Sequence, residues 1–350
     1  MTVPGMVSVI VLNWNGKRMI CDCLDSLLKQ TYKSLEIIVV DNGSKDGSLE
    51  MIKDKYSSRF QILENGRNLG FAEGCNVGIR KAQGEFVVLV NSDATLKEDW
   101  TDEMVKAVQK DPQIGMVAGK IYFAGREGVL ENTGHVVFRD GMARGRGRLE
   151  KDKGQYDKID RIFCPNGCAA LYRKEVMEEA GVFDAEFFAY ADDIDVGFRI
   201  RMLGYECVYA PRAIAYHELS GSFGMLSPLK AYLLERNRLW VLIKCFPLPH
   251  LAVAPFYTIQ RYFYHLYGML RKQGPAAHYV EKISTLSLMW IALKVYLSTL
   301  RHLPYLIRER RKVMKKCRIS IEEFECWLRL YGMTAREVAL NEISYTEPTA

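Results

Sequence analysis

The sequence predicts an α/β fold, a doubly wound and mostly parallel sheet flanked by helices, with a helical extension at its C-terminal end. Three observations predict it. Apolar, β-branched runs alternate with amphipathic stretches through the first third of the chain, the signature of strand–helix–strand units. Polar clusters close three of those runs, Asn13-Trp14-Asn15-Gly16, Asp41-Asn42-Gly43-Ser44 and Asn91-Ser92-Asp93, at the strand tips where such sheets bind ligands. From Ser227 onward the strand patterns give way to long, aromatic helical stretches dotted with Lys and Arg.

Composition permits this reading. The chain has 350 residues, 49% of them hydrophobic, enough to bury a large core and too apolar for disorder. Its net charge of +6 is mild. A nucleic-acid binder usually shows a denser basic stripe, so no nucleic-acid partner is expected. The apolar N-terminal run lacks a basic flank and reads as a first buried strand, not as a signal peptide. Of the nine cysteines, Cys21 and Cys23 are too close for the usual metal spacing, and Cys164 and Cys168 have no second pair. Reduced thiols are expected.

Val7–Leu12 is almost wholly apolar, as in a strand covered on both faces. Met19–Leu28 follows at helical spacing, then Leu35–Val40 as a strand and Ser48–Lys55 as a helix. Phe60–Leu63 reads as a short strand, Ala72–Lys81 as a helix, Glu85–Val90 as a buried strand and Leu96–Lys110 as a helix. Between Gly115 and Arg173, short strands and Gly-rich turns predict an antiparallel or mixed extension of the sheet, with a mobile basic loop at Gly141–Arg148. Asp192–Leu203 reads as a helix stopped by Gly204. Glu206–Tyr209 is a strand, and a loop running on through Leu219-Ser220-Gly221-Ser222 carries His217. These patterns divide the chain into an α/β domain that carries the polar strand tips, residues 1–226, and a basic helical region, residues 227–350. The stretches Leu229–Phe246, Ala254–Leu270 and Ile283–Leu300 are interrupted by Lys and Arg, and Arg308–Lys316 is a basic run. None is clean enough to span a bilayer. They suit helices lying in the surface of an anionic membrane, or a helical subdomain with a solvated charged face.

Four places could carry chemistry. Asp41, at a strand tip, can accept a hydrogen bond from the base or ribose of a nucleotide, or cap the next turn and helix. Asp93 can hold Mg²⁺ or Mn²⁺ against a diphosphate, or form an Asx turn. Asp192-Asp193-Ile194-Asp195 opens a helix beside the aromatic Phe187-Phe188-Ala189-Tyr190. An ionised carboxylate at a helix start beside an apolar wall suits a general base, and Asp193 is the expected base, with Asp192 as a neighbouring binding group. Asp195 can pair with Arg199 one turn on. His217 can ligate a metal or touch phosphate, or be purely structural. No Gly-x-Gly-x-x-Gly follows the first strand and no Gly-Lys-Ser/Thr occurs, so the dinucleotide and P-loop alternatives lose their main support.

Taken in order, these segments resemble an inverting family-two glycosyltransferase of the GT-A fold, in particular its bacterial rhamnosyltransferase-like branch. The likeness rests on Val7-Ser8-Val9-Ile10-Val11-Leu12-Asn13-Trp14-Asn15, Val39-Val40-Asp41-Asn42-Gly43-Ser44, Asn68-Leu69-Gly70-Phe71-Ala72, Asn91-Ser92-Asp93 and Asp192-Asp193-Ile194-Asp195. Arg199-Ile200-Arg201-Met202-Leu203-Gly204-Tyr205 and Arg236-Asn237-Arg238 continue it. By position, the resemblance implies that Asn13, Asn15, Asp41, Asn68, Gly70, Asn91, Ser92 and Asp192 bind the donor nucleotide. It makes Asp93 and His217 metal ligands and Asp193 the catalytic base. Asn91 stands where the family's metal motif begins with Asp, and Asp192 where its catalytic pair begins with Glu. The implied donor is dTDP-L-rhamnose or a UDP-sugar, and the implied acceptor a glycan or polyprenyl-linked glycan. The implied location is the cytoplasmic side of a bacterial inner membrane, held peripherally, and a homodimer is compatible. A membrane-bound scaffold that binds nucleotide sugars without turnover is the alternative of another class.

Overall fold

The computed structural model describes residues 2–158, 160–218 and 227–341. The chain divides into two compact units. One comprises Met1–His135, Gly145–Ser222 and Lys316–Ile319, the other Val136–Arg144, Phe223–Lys315 and Ser320–Ala350.

The first unit is built on strand β1 (Val3–Asn13). Val7, Val9 and Val11 pack into one core with Ile20, Leu24 and Leu27 of α1 (Ile20–Leu28). On the opposite face, Ile10 and Leu12 meet Gly78 and Gly74 of α3 (Gly70–Lys81), where a Cβ would come within 2.6 Å of those side chains. Both faces are therefore covered, which is why the strand is apolar throughout.

The elements that follow are β2 (Leu35–Asp41), α2 (Ser48–Tyr56), β3 (Gln61–Glu64), α3 (Gly70–Lys81), β4 (Gly84–Asn91), β5 (Ala94–Leu96), α4 (Trp100–Val108), β6 (Ile114–Phe123) and β7 (Leu130–Asn132). Next come β8 (His135–Val137) and β9 (Ala143–Gly145), which form a separate ribbon, then β10 (Arg161–Ile162), β11 (Ala169–Arg173), α5 (Lys174–Ala180), α6 (Asp192–Met202) and β12 (Glu206–His217). The main sheet has the order β10-β12-β6-β11-β4-β1-β2-β3, with β5 on β12 and β7 on β6. Strands β1 to β4 are mutually parallel, and β12 is parallel to β6. Strand β11 runs antiparallel between β4 and β6. The expected α/β sheet is present, with this antiparallel insertion.

Three local expectations are corrected. Leu96 is not helical: it ends β5, which pairs with Ala215 of β12, and α4 starts only at Trp100. Long-range pairing overrides the helical spacing there. Strand β12 does not stop at Tyr209 but runs to His217, so His217 lies on a strand. Its pairing shifts register between Ala210 and Ile214, around Pro211, and a bulge with proline hides a strand from pattern reading. The basic stretch after Gly141 is tied down: Ala143–Gly145 is a strand, Arg146 bonds Thr133, and Arg148 pairs with Glu131.

Among the described residues, the second unit holds seven helices, α7 (Pro228–Cys245), α8 (Leu248–Arg271), α9 (Gly274–Lys282), α10 (Thr285–Arg301), α11 (Leu303–Lys316), α12 (Ile321–Leu330) and α13 (Ala335–Leu340). Helix α7 starts at Ser227, whose hydroxyl accepts the Lys230 N–H, with Pro228 behind it, a favoured way to open a helix. Helix α12 starts with a Ser320–Glu323 capping box. Buried Arg238 and Arg261 converge on fully buried Asp140, and Arg261 also takes Glu235. Among the described residues, no helix is long and apolar enough to cross a membrane.

Candidate active site

The carboxyl ends of β2, β1 and β4 lie side by side. Asn13 is in register with Asp41, and Leu12 with Asn91, so the three polar clusters sit one to two strand spacings apart, about 5–10 Å.

Asp41 is buried, and both its oxygens are engaged: Oδ1 accepts from Asn13 Nδ2 at 2.9 Å, Oδ2 from the N–H groups of Gly43 and Ser44 at 3.0 and 3.1 Å. Asn13 Nδ2 also reaches Ser48 Oγ, while its Oδ1 is buried without a hydrogen-bond partner among the described residues. Asn15, at a left-handed φ of 54°, accepts the Lys45 N–H. Asn42, which sequence reasoning did not single out, gathers the next segment: its Nδ2 donates to Asn68 Oδ1 and to the Gly70 carbonyl, both at 3.0 Å. Gly70 needs to be glycine, because its φ is +82° and a Cβ would lie 2.4 Å from the Phe188 carbonyl oxygen. Ser92 borders Gly16, and the Asn91 N–H donates to the Cys168 carbonyl.

Asp93 and His217 meet. Asp93 Oδ1 lies 3.1 Å from His217 Nε2, and Nδ1 of the same ring lies 2.7 Å from Glu131 Oε2. Glu131 was not expected from the sequence. Burial disfavours a charged ring here, but contact with the Cys168 thiol, the charge of Glu131 and the hydrogen bond to Asp93 outweigh it and raise His217 well above the ordinary histidine range. The pair fits a hard divalent ion. Two neighbouring ligands about 2.1 Å from an octahedral ion stand about 3 Å apart, as these two atoms do. A carboxylate on the far ring nitrogen is the usual support for a ligating histidine. Among the described residues no three His, Cys, Asp or Glu side chains group to hold a metal on their own, so oxygens of a diphosphate and water would complete the shell, the habit of Mg²⁺ and Mn²⁺.

Asp193 lies in the first turn of α6, after a strained approach in which Phe188, Tyr190 and Ala191 have φ of 64°, 68° and 58°. Non-glycine residues in this region cost about 1–2 kcal/mol each, and such strain gathers at functional sites. Asp193 Oδ2 accepts the Gly167 N–H at 3.0 Å and lies 3.1 Å from His135 Nε2, and Oδ1 accepts the Ile194 N–H at 2.8 Å. Burial opposes its charge, yet His135 and these two N–H groups hold its carboxyl below the ordinary aspartate range. Asp192, also buried, is pushed well above that range by burial and by the charge of Asp193. Asp195 pairs with Arg199 at 2.7 Å and has a structural part. The turn Asn166-Gly167-Cys168 joins the two halves: Gly167 donates to Asp193, while Cys168 contacts His217 and its carbonyl takes the Asn91 N–H. Leu219-Ser220-Gly221-Ser222, expected beside His217, lie outside the described residues.

Residues 8–181 match the description Glycosyl transferase family 2. These residues form a family 2 glycosyltransferase domain. The chain is 25% identical over 221 residues to the poly-beta-1,6-N-acetyl-D-glucosamine synthase of Staphylococcus epidermidis, covering 63% of this chain and 52% of that protein. It thus spans about half the length of the curated relative it matches. Among solved structures it resembles Staphylococcus aureus TarS in complex with UDP, with a TM-score of 0.54 and 18% identity over 92% of this chain and 91% of the other. It also resembles the mannosyltransferase PcManGT of Pyrobaculum calidifontis in complex with GDP-Man and Mn²⁺, with a TM-score of 0.51 and 19% identity over 89% and 85%. These likenesses establish the GT-A fold.

Proposed function

We propose that the protein moves a sugar from a nucleotide-sugar donor onto a glycan or lipid-linked glycan in cell-surface polysaccharide synthesis, by a single displacement that inverts the anomeric centre. The observation that carries this is one turn, Asn166-Gly167-Cys168, shared by the Asp193 carboxylate and the Asp93–His217 pair. Asp193 takes the proton of the acceptor hydroxyl. That oxygen bonds to the anomeric carbon as the bond from this carbon to the diphosphate oxygen breaks, so the proton stays on Asp193 and the nucleoside diphosphate leaves. Asn13, Asn15, Asp41, Asn68, Gly70, Asn91, Ser92 and Asp192 shape the nucleotide and sugar site. Asp93 and His217 would hold Mg²⁺ or Mn²⁺, which when bound neutralises charge on the departing diphosphate. In this reading dTDP-L-rhamnose, from the branch resemblance, is the first donor. A UDP-sugar is the second, favoured by the TarS structure with UDP. A donor panel scored by nucleoside diphosphate release separates them. Asp193→Asn abolishes turnover and leaves nucleotide binding near normal; retained turnover removes the base.

The second unit suits an anionic membrane surface. Phe256, Ile259, Phe263, Leu266 and Leu270 of α8, and Leu286, Met289, Trp290, Leu293, Leu297 and Leu300 of α10, recur three or four residues apart and are roughly half exposed or more, so each helix presents an apolar stripe to solvent. Between residues 248 and 315 there are eleven Lys and Arg against two Asp and Glu. Apolar aromatic stripes set among cations match the interface of an anionic bilayer. Residues 1–226 then carry the chemistry, and residues 227–350 keep it beside a lipid-linked acceptor.

A further inference from the structure

The donor on Asp193 that sequence reasoning missed is a side chain. His135 Nε2 stands 3.1 Å from Asp193 Oδ2, and the imidazole is well fixed: its backbone N–H donates to the Cys164 carbonyl at 2.9 Å and its side chain is 10% exposed. Nδ1 is buried with no hydrogen-bond partner among the described residues. A ring so placed carries its proton on Nε2. A proton on Nδ1 would strand a buried donor and set the Nε2 lone pair against the carboxylate. The Asn166 amide nitrogen, a donor whose Oδ1 is turned to the Cys168 N–H, lies 3.3 Å from the same Nε2, but this neutral group is the weaker partner beside the ionised carboxylate at 3.1 Å. The other ionisable groups facing Asp193 are Asp192 on its own helix, Cys164, and Tyr172 of β11. Burial, with the nearby charge of Asp193, raises the Cys164 thiol and the Tyr172 phenol well above their ordinary values, so both are neutral near pH 7. Among the described residues, Oδ1 of Asp193 accepts only the Ile194 N–H, and the side chain keeps 14% exposure.

We propose that His135 is a positioning residue for glycosyl transfer: its Nε2–H locks Oδ2 of Asp193, so the carboxylate stays ionised and turns Oδ1 to the acceptor hydroxyl. The inference rests on Asp193 being the base. Its sign with pH follows directly. Hydrogen bonds to a carboxylate favour the charged form, so losing one raises the pKa of the base, and the acid limb of kcat/KM moves to higher pH.

The test uses the full chain with dTDP-L-rhamnose, or the UDP-sugar the donor panel selects. In His135→Leu the acid limb rises by about one pH unit, kcat falls about 10- to 100-fold, and nucleotide affinity is unchanged. A Leu variant with wild-type limb and kcat overturns the proposal. His135→Gln returns an uncharged N–H donor near the place of Nε2 and restores kcat to within a few-fold of wild type. A Gln variant that binds nucleotide yet loses about tenfold or more in kcat overturns it as well, and decides the matter if the Leu protein does not fold. Asp193→Asn separates the two layers. Turnover retained there removes the base and this inference together, whereas an inactive Asn variant beside an unmoved limb in the Leu variant removes His135 alone.

Discussion

Replacing Glu131 with Gln probes the support of the Asp93–His217 pair with one change of charge. Glu131 is 4% exposed; Oε2 takes His217 Nδ1 at 2.7 Å, and Oε1 lies 3.2 Å from Arg148 Nη1. Burial opposes its charge, but His217 and Arg148 hold its carboxyl below the ordinary glutamate range. Gln keeps the shape and an acceptor oxygen for His217 while removing the charge. A charge-assisted hydrogen bond exceeds a neutral one by about 1 kcal/mol, and outer partners of ligating histidines are worth about 10- to 100-fold in metal affinity. We expect Mn²⁺ affinity to fall about tenfold. Arg148, which is 29% exposed and lies over the Phe123 ring, turns to water, so stability changes by less than about 1 kcal/mol. Glu131→Ala would blur this result, since it also removes the acceptor of His217 Nδ1 and leaves that buried donor unmet, at about 1–3 kcal/mol. The assay is electron paramagnetic resonance titration of Mn²⁺ in the presence of UDP, with a thermal melt as control. Equal Mn²⁺ affinity in both proteins would show that His217 is not a ligand supported by Glu131.

Two further outcomes are expected. Gly70→Ala adds about 1–2 kcal/mol of left-handed strain and drives a methyl group into the Phe188 carbonyl at 2.4 Å. Chemical denaturation should show a loss of about 2 kcal/mol or more, with a lower kcat because Phe188 leads into Asp192 and Asp193; an unchanged midpoint contradicts this. The double variant Phe263→Glu, Trp290→Glu places two charges on stripes that are 64% and 54% exposed at these positions. With about 1.5–3 kcal/mol of burial lost per side chain, co-flotation with phosphatidylglycerol vesicles should drop more than about tenfold. Unchanged flotation argues against a membrane-facing surface, and a loss of self-association in sedimentation would assign it to a second copy of the chain.

The fold was legible wherever local pattern and long-range pairing agree. Strands β1, β2 and β4 are apolar on both faces because both faces are covered, and the periodicity of α1 and α3 reports the side that packs on them. Legibility failed at β5 and in the second half of β12, where hydrogen bonds between distant segments and a bulge around Pro211 set the structure. The site divides in the same way. Strand tips and the acidic start of α6 announce themselves, because a polar cluster after an apolar run is a local signal. Glu131 and His135 do not. They lie in Leu130-Glu131-Asn132-Thr133-Gly134-His135, a stretch buried throughout whose polar composition reads as a turn, and their partners are 86 and 58 residues away. The one local hint was a Glu and a His flanked by apolar residues among short strands.

That distance matters most for the paired carboxylates. Asp192 and Asp193 are the same residue type on the same first turn, and nothing within the helix tells them apart. What separates them arrives from elsewhere in the chain, His135 and the Gly167 N–H on Asp193 and burial on Asp192. Two like charges this close do not both ionise readily, so stabilising the charge on Asp193 also favours the proton on Asp192. Which of the two carboxylates is ionised is thus set by the surrounding fold, and any change that loosens His135 or the Asn166-Gly167-Cys168 turn should disturb both carboxylates at once.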